Sequence, residues 1–225
     1  MKKKVKRKIN PIKIIVFLLI VGLLIILVNH ILNINTKNIV ILNNDYYSDD
    51  EIIETANIYD YPKFLLLNRS KIKKDLKSLD LIEDVKISKK SHYVLEIDVT
   101  EKKVLYLVRS ENKYKLSDNK NYDLDKNVIV PTLINYVPED IEKELVKQLS
   151  KIDKKSLSLI SEIEYSKTDY DNKRFMLNMM DGNIVYITTS KINLLDKYTS
   201  IISKVNDKKG ILYLDSGNYF EVKEK

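Results

Sequence analysis

The chain of 225 residues has no cysteine, and it has only four glycines, four prolines and two histidines. Without cysteine, disulfides, thiolate metal sites and a lipid attached through a thiol are all excluded. Four scattered glycines exclude a glycine-rich phosphate loop. One histidine, His30, lies in an apolar run and the other, His92, lies near a predicted turn. We therefore expect neither a histidine-based metal site nor a nucleophile–base pair, and no cofactor.

One long apolar segment, residues 14–32, carries no charged side chain. At about 1.5 Å per residue, a helix of this length spans roughly the 30 Å hydrocarbon core of a bilayer. Seven basic residues precede it, whereas the stretch after it contains one lysine, Lys37, and several acidic residues. The positive-inside rule then predicts a cytoplasmic basic tail at 1–13, a transmembrane helix at 14–32 and an extracellular remainder. The alternative is a cleaved signal peptide, but no alanine other than Ala56 is present to form a cleavage site.

The charge balance follows from this tail. The chain has 39 basic and 32 acidic residues, a net charge of +7. When the seven basic residues before the apolar run are set aside, 32 basic residues remain against 32 acidic ones, so the exported part is formally neutral. A nucleic-acid partner needs basic side chains concentrated on the folded domain, and we therefore expect none.

Residues 36–101 predict a first module in the order strand, helix, helix, strand, strand. Ser48 and Glu51 have the spacing of a capping box at the start of the first helix, and Asn68 is a cap for the second. Apolar and polar residues alternate in the last strand, as expected when one face is buried. The predicted strands are 38–43, 82–88 and 91–100, with a short turn at 89–91 between the last two.

Residues 102–225 predict a second, β-rich module with two helices, which makes the fold class α+β. The first helix opens at Pro138, and the second is expected to be capped by Ser190 and to stop near Gly210. Asp181-Gly182 is a strong hairpin signal, because tight turns need the positive φ that glycine adopts cheaply. The predicted strands are 104–108, 114–116, 160–165, 174–180, 183–189 and a final strand 211–214, which precedes residues 215–222.

The order and spacing of these segments resemble the FtsQ/DivIB family of bacterial cell-division proteins. The resemblance rests on the basic tail, the single span, the β-α-α-β-β unit, the exit 99–104 (Val-Thr-Glu-Lys-Lys-Val) and the segment 130–133 (Val-Pro-Thr-Leu). It implies a membrane-proximal POTRA domain at 36–101 and an FtsQ/DivIB-type β domain at 102–225. It further implies a single-pass membrane protein at the division septum, with its N-terminus in the cytoplasm.

The same resemblance implies a non-catalytic divisome scaffold with no small-molecule substrate. Such a protein binds the FtsL-like and FtsB/DivIC-like single-span division proteins outside the membrane and helps to regulate septal peptidoglycan synthesis. If the terminal strand is an exposed sheet edge, its unpaired backbone groups can accept a partner strand. The positions that best match the partner site of the family are Tyr213, Leu214, Asp215, Ser216, Gly217, Asn218, Tyr219 and Phe220.

Other interpretations of the sequence remain open. Tyr213 and Phe220 are also what the core of a terminal strand would contain. A membrane-anchored cell-wall hydrolase with paired carboxylates would show a groove with converging acids of raised pKa. A one-span sensor would ordinarily have a larger cytoplasmic domain. The segment Asp123-x-Asp125-x-Asn127 has the start of a calcium loop, but Val128 and Ile134 stand where glycine and glutamate are required, which favours a turn.

Overall fold

The structure is a computed structural model that describes residues 11–206 and 208–223. The chain forms two compact units and passes from the first to the second between Glu101 and Lys102. The fold class is α+β, as predicted, with an apolar N-terminal helix, a small sheet with two helices, and a larger β-rich unit. Most of the predicted basic tail, residues 1–10, lies outside the described residues.

The N-terminal helix α1 covers Pro11–Leu32 and so begins three residues before the apolar run. Within it, Ile12–Leu32 has the length and composition needed to cross a membrane. Its side chains are open to the surroundings: Leu19 is 68% and Ile26 is 71% exposed. Large aliphatic side chains are normally buried in water-soluble folds, so this exposure fits a helix surrounded by lipid.

The first unit contains a three-stranded sheet covered by two helices. The strand order is β1-β3-β2, with β1 parallel and β2 antiparallel to the central β3. Leu95 and Ile97 of β3 are fully buried beside Ile52 and Leu76 from the helices. The elements are β1 (Asn38–Leu42), α2 (Asp49–Thr55), α3 (Arg69–Leu76), β2 (Ile82–Lys90) and β3 (Val94–Glu101), with a 3-10 turn at Phe64–Leu66.

Both predicted helix caps are confirmed. The Glu51 amide donates to the Ser48 hydroxyl at 3.3 Å, and the Ser48 amide donates to the Glu51 carboxylate at 2.8 Å, which completes the capping box. At α3 the Lys71 amide donates to the Asn68 side chain at 3.1 Å. These bonds satisfy amide groups that the first turn of a helix leaves without partners.

The hairpin between β2 and β3 turns later than predicted. The ladder continues to the pair Lys90 and Val94, so the reversal lies at Ser91–Tyr93 and not at 89–91. His92 and Tyr93 carry it with φ of 60° and 61°. Tyr93 is thus a turn residue whose ring packs edge-on against Phe64, with ring centres 5.6 Å apart.

The second unit contains a nine-stranded sheet in the order β12-β11-β10-β9-β8-β7-β4-β5-β6. The pairs β10–β11, β7–β8 and β4–β7 are parallel, and the others are antiparallel. The strands are β4 (Val104–Val108), β5 (Lys113–Leu116), β6 (Asn121–Tyr122), β7 (Thr132–Leu133), β8 (Ile160–Tyr165), β9 (Arg174–Met179), β10 (Ile184–Thr188), β11 (Gly210–Tyr213) and β12 (Tyr219–Val222).

Helices cover one face of this sheet. They are α4 (Glu139–Leu149), α5 (Lys154–Ser158), a 3-10 helix (Thr189–Lys197) and α6 (Tyr198–Lys204). Leu145 and Ile192 from the helical layer share a buried cluster with Phe175, Val185 and Ile187 from the sheet. The opposite face of the sheet carries the alternate residues of the same strands, and we call it the open face.

In the segment 128–133, only Thr132–Leu133 joins the sheet, and Ile129 is 85% exposed. The second predicted helix of this unit has wrong boundaries. Ser190 is not a cap, because the segment starts as a 3-10 helix at Thr189 and no side chain caps it. The following helix ends at Lys204, before Asn206 at φ 55°, so Gly210 begins a strand instead of ending a helix.

The hairpin at Asp181-Gly182 is confirmed, with Gly182 at φ 87°. Two elements, β6 and α5, were missed, because runs of two and five residues are too short to show a period. Ile152 is buried as expected, but it lies beyond the end of α4.

Candidate functional site

The eight predicted partner-site residues form one continuous hairpin at the C-terminal edge of the sheet. Tyr213 ends β11, Leu214 follows it, and Tyr219 and Phe220 begin β12. Between them lies the turn Asp215, Ser216, Gly217 and Asn218, in which Asn218 adopts φ 52°. The structure therefore brings all eight together, whereas their binding role stays a prediction.

The hairpin has two different sides. Leu212 and Leu214 are buried in the core, and Phe220 packs partly against the same core. Tyr213 and Tyr219 project from the open face, where Tyr219 is 51% exposed. The alternative that both aromatic residues belong to the core is therefore right in part for Phe220, whereas Tyr213 lies on the side away from the core.

A row of stacked side chains crosses the open face from β9 to β12. The guanidinium carbon of Arg174 lies 3.8 Å from the ring centre of Tyr186. The Tyr186 and Tyr213 rings are 5.4 Å apart, and those of Tyr213 and Tyr219 are 4.6 Å apart at an angle of 16°. Such contacts each contribute about 0.5–1.5 kcal/mol beyond area burial, so the row fastens β12 to its neighbours. Burial and then a hydrogen bond with Glu221 raise the pKa of the Tyr213 hydroxyl.

The turn of the hairpin is held by a buried ion pair. Arg174 Nε donates to Asp215 Oδ2 at 2.6 Å, and the two side chains are only 15% and 10% exposed. Burial alone would raise the pKa of Asp215, but hydrogen bonds from Arg174 and Ser216 outweigh it and lower the pKa. Lys191 Nζ also donates to the Asp215 carbonyl at 3.0 Å. Asp215 is thus fully engaged within the chain.

A buried polar network fixes the start of β11. The Gly210 amide donates to Asn183 Oδ1 at 2.8 Å, and Asn183 is 1% exposed. The Asn183 amide group in turn donates to Asp181 at 2.9 Å and to the Tyr198 hydroxyl at 3.0 Å. Burial, together with a hydrogen bond to Asp181, raises the pKa of that hydroxyl. The network joins the β9–β10 hairpin, α6 and β11.

Gly210 also allows the close approach of β12. A Cβ at this position would lie 2.1 Å from the Glu221 carbonyl oxygen and 2.8 Å from the tip of the Phe220 ring. Real side chains do not tolerate a backbone contact this short, so only glycine fits here. The hairpin therefore depends on the absence of a side chain at position 210.

The outer side of β12 is a sheet edge. Tyr213 pairs with Tyr219 and Gly210 with Val222, and the Lys223 amide donates to the Lys209 carbonyl at 2.9 Å. Hydrogen-bonded and non-hydrogen-bonded pairs alternate along an antiparallel ladder. The backbone groups of Phe220 and Val222 therefore point away from β11, toward the free edge. We call this feature the β12 edge.

Comparison with known proteins shows which protein family this chain resembles. The model of the POTRA domain, FtsQ-type, matches residues 34–102, which span the first unit's sheet and helices. Cell division protein DivIB from Brevibacillus brevis is 28% identical over 218 residues, which is 92% of this chain and 83% of that relative. DivIB from Bacillus subtilis (strain 168) is also 28% identical, over 98% of this chain and 85% of the relative. Residues 34–102 thus match the FtsQ-type POTRA domain, and the chain as a whole is similar to DivIB cell-division proteins.

One solved structure is also similar, the major extracytoplasmic domain of the trans isomer of DivIB from Geobacillus stearothermophilus. It is 21% identical and aligns with 48% of this chain and 97% of its own, at a TM-score of 0.39. The similarity to DivIB proteins and the apolar N-terminal helix make this chain a membrane-anchored cell-division protein.

A hydrolase with paired carboxylates would bring together acids of raised pKa in a groove. Where a carboxyl pKa in the described residues is shifted, it is lowered, by ion pairs and hydrogen bonds to the protein: Asp84, Asp118, Glu139, Glu144 and Asp215. The pocket beside the β12 edge, about 540 Å³, has a single carboxylate in its lining, Glu221. No group of three or more metal-ligating side chains occurs in residues 11–206 and 208–223, the Asp123–Asn127 turn included.

Reasoning from the sequence did not identify three residues that support the hairpin. Arg174, Asn183 and Tyr186 support the hairpin from strands or turns that lie 25 or more residues away along the chain. No spacing rule links them to the hairpin, because β10 and β11 are joined by a parallel crossover through the helices. The alternation of Tyr186 with buried Val185 and Ile187 was the only signal that it faces away from the core.

Proposed function

We propose that this protein is a non-catalytic divisome scaffold that binds FtsB/DivIC-like and FtsL-like single-span division proteins through the β12 edge. Through this complex it helps to regulate septal peptidoglycan synthesis. One observation carries the proposal: β12 is a short, rigidly held strand whose Phe220 and Val222 backbone groups face outward at the end of the sheet. An extended partner segment can pair with such an edge and extend the sheet by one strand.

The surroundings of the edge fit this role. A partner strand lying against β12 would pass the exposed Tyr219 on one side of the sheet and the partly exposed Phe220 and Val222 on the other. Backbone bonds would supply affinity, and these side chains would supply selectivity. The ion pair of Arg174 and Asp215 holds the turn in place, so little ordering entropy is lost on binding.

The proposal includes the arrangement of the chain. Residues 1–13 are taken as a cytoplasmic tail, 14–32 as the transmembrane helix, 36–101 as the POTRA-like domain and 102–225 as the partner-binding β domain. The N-terminus lies in the cytoplasm and both folded units lie outside, at the division septum. The excess of basic residues before the apolar helix supports this orientation. The carboxyl groups with lowered pKa support a binding protein over a hydrolase.

The test uses the full chain in lipid nanodiscs and the extracellular segment of a DivIC-like protein. Val222→Pro removes one outward amide of the β12 edge, whereas Val222→Ala shortens the side chain and keeps that amide. We expect Val222→Pro to weaken binding by roughly tenfold, since a backbone hydrogen bond contributes about 0.5–1.5 kcal/mol and the proline ring also obstructs pairing. Val222→Ala should bind nearly as well as the native protein.

Hydrogen exchange of residues 210–223 shows whether each variant keeps its hairpin. Equal binding by the two variants, with the hairpin still protected, would contradict pairing at the β12 edge. In cells, a depletion strain that carries Val222→Pro should form undivided filaments or enlarged cells, while Val222→Ala should divide. A deletion must begin after Asp215, because earlier ones remove Leu212 or Leu214 from the core, or Asp215 from its ion pair.

A further inference from the structure

The end of the first unit nearest the membrane is defined by where α1 stops. The helix ends at Leu32, and β1 begins at Asn38. Because β1 and β3 are parallel and Asn38 pairs with Val94, the turn 91–93 lies at this same end of the sheet. The opposite end carries Leu42, Ile82 and Glu101.

A loop of residues 57–67 is fastened to the chain directly after α1. The Phe64 amide donates to the Ile34 carbonyl at 2.9 Å, and the Thr36 amide and hydroxyl both donate to the Pro62 carbonyl. Lys63 forms an isolated bridge with Asn35, and its ammonium group donates to the Asn33 side chain. We call this segment the 57–67 loop.

Exposed apolar side chains are concentrated in the 57–67 loop. Tyr59 is 64%, Tyr61 44%, Leu65 43% and Leu66 61% exposed. Tyr61 is also held at φ 51°, a left-handed conformation that is a true outlier for a bulky side chain. Strain of this kind persists only where the surrounding structure imposes it, and here the bonds to residues 34–36 do so.

Positive charge lies in the loop and directly after it, at the start of α3. Residues 57–71 contain Lys63, Arg69 and Lys71 against the single acid Asp60. Lys89 reaches into the loop and donates to the Leu65 carbonyl at 3.1 Å. Burial, and then the nearby charge of Arg69, lower the pKa of Lys89.

We propose that the 57–67 loop lies in the headgroup layer of the bilayer that α1 crosses, with Tyr59, Tyr61, Leu65 and Leu66 at the lipid boundary and the basic residues against anionic phospholipid. The short distance between the loop and the end of α1 supports this placement. The headgroup layers add roughly 5–7 Å on each side of the hydrocarbon core. Residues 33–36, directly after the helix, fall within that layer, and the loop is hydrogen-bonded to them.

The chemistry of the loop matches that environment. Aromatic rings with a polar tip, aliphatic side chains and lysines are the groups that favour a membrane–water interface. The same side chains exposed to water would cost free energy, whereas a burial depth of about 5–10 Å would remove that cost. The loop would then fix the tilt of the POTRA unit on the membrane, independently of partner binding.

The chain has no tryptophan, so a single tryptophan reports on one site alone. Full-length Leu66→Trp is placed in nanodiscs of phosphatidylglycerol with brominated acyl chains, which quench nearby indole emission. Leu24→Trp, inside α1, is the fully quenched control, and Glu83→Trp, exposed at the opposite end of the unit, is the unquenched one. We expect Leu66→Trp to lose roughly half as much emission as Leu24→Trp, since interfacial groups lie less deep.

Quenching at Leu66→Trp no greater than at Glu83→Trp would overturn the proposal. Tyr59→Trp serves as a second probe if hydrogen exchange shows that Leu66→Trp disturbs α3. Replacement of phosphatidylglycerol by phosphatidylcholine should reduce the quenching at Leu66→Trp. Equal quenching in both lipids would refute the contact with anionic headgroups. Binding of a DivIC-like segment to the same nanodiscs is a separate measurement, so failure here is distinguishable from failure of the β12 edge.

Discussion

The 57–67 loop and the β12 edge expose opposite parts of the polypeptide. In the loop, backbone groups are paired with residues 34–36 and with Lys89, while apolar side chains stand free. At the β12 edge, Phe220 packs on the core and Tyr219 stacks on Tyr213, while backbone groups face outward. A surface made of side chains suits a fluid, unpatterned lipid layer, whereas a row of backbone groups suits another extended chain.

The two regions also differ in how they are held. The loop is strained and tied by hydrogen bonds near the surface. The β12 edge depends on a buried ion pair, a buried amide network and one glycine. Substitutions in each region should therefore act locally, and hydrogen exchange of full-length protein in nanodiscs provides both readings at once. Each region is thus an internal control for the other.

The largest effect is expected at the ion pair. Arg174→Gln leaves the Asp215 carboxylate buried without its charged partner, and breaking such pairs costs about 3 kcal/mol or more. The opening free energy of residues 210–223 should fall by that amount, while residues 57–67 keep their protection. Lys173→Gln is the matched control, because its bond to Glu144 is more exposed, and it should cost less than about 1 kcal/mol.

This pair also predicts a pH dependence. The Asp215 pKa is lowered in the folded protein, so the pair stabilises above the unfolded value of about 3.9 and this stability is lost as the pH falls through the folded pKa. In Arg174→Gln, burial dominates and raises that pKa, so protonation should increase the protection of the hairpin. The same slope in both proteins, after correction for intrinsic exchange rates, would contradict the assignment.

A smaller effect is expected at Gly210. Gly210→Ala places a Cβ against the Glu221 carbonyl and should destabilise the pairing of β12 by about 2 kcal/mol. Faster exchange at 219–223 and weaker binding of a DivIC-like segment are the measurements. Gly217→Ala is the control, because its Cβ would meet only the Tyr219 ring, at 3.1 Å. Equal effects of the two would mean that the close backbone approach is not what matters.

The smallest effect is expected in the loop, and its sign is opposite. Tyr61→Asn keeps the left-handed backbone with a residue that adopts it more readily, so the 57–67 loop should gain up to about 1 kcal/mol of local stability. Hydrogen exchange of the loop measures this gain, and binding at the β12 edge should not change. Tyr59→Asn, which has no such backbone strain to relieve, should bring no gain; a gain there would point to another cause.

Much of this molecule could be predicted from its sequence. The capping box at Ser48, the cap at Asn68 and the Asp181-Gly182 turn are local signals, and each is confirmed by its own bonds or dihedral angles. Alternation in β3 reflects direct contact with one buried face, which acts on every second residue. Errors occurred where the sequence signal is local but the structure depends on distant residues, as at Ser190 and at Gly210.

The candidate site shows the same division. The hairpin and its aromatic residues could be recognised within one stretch of the sequence, but the residues that support the hairpin could not. Arg174 meets Asp215 across 41 residues of chain, and Asn183 meets the Gly210 amide across 27. The strained Tyr61 has no signal at all in the sequence, since its conformation is imposed by bonds to residues that precede it by more than twenty positions.

The sequence by itself determined the membrane anchor, the order of the longer elements and the resemblance to the FtsQ/DivIB family, because length, charge, period and turn chemistry act over short distances. Only the tertiary structure decided which strand is the sheet edge and which backbone groups face outward. It also decided which loop lies beside the end of α1. These depend on long-range pairing, in which β11 joins β10 through a parallel crossover and Thr36 bonds to Pro62.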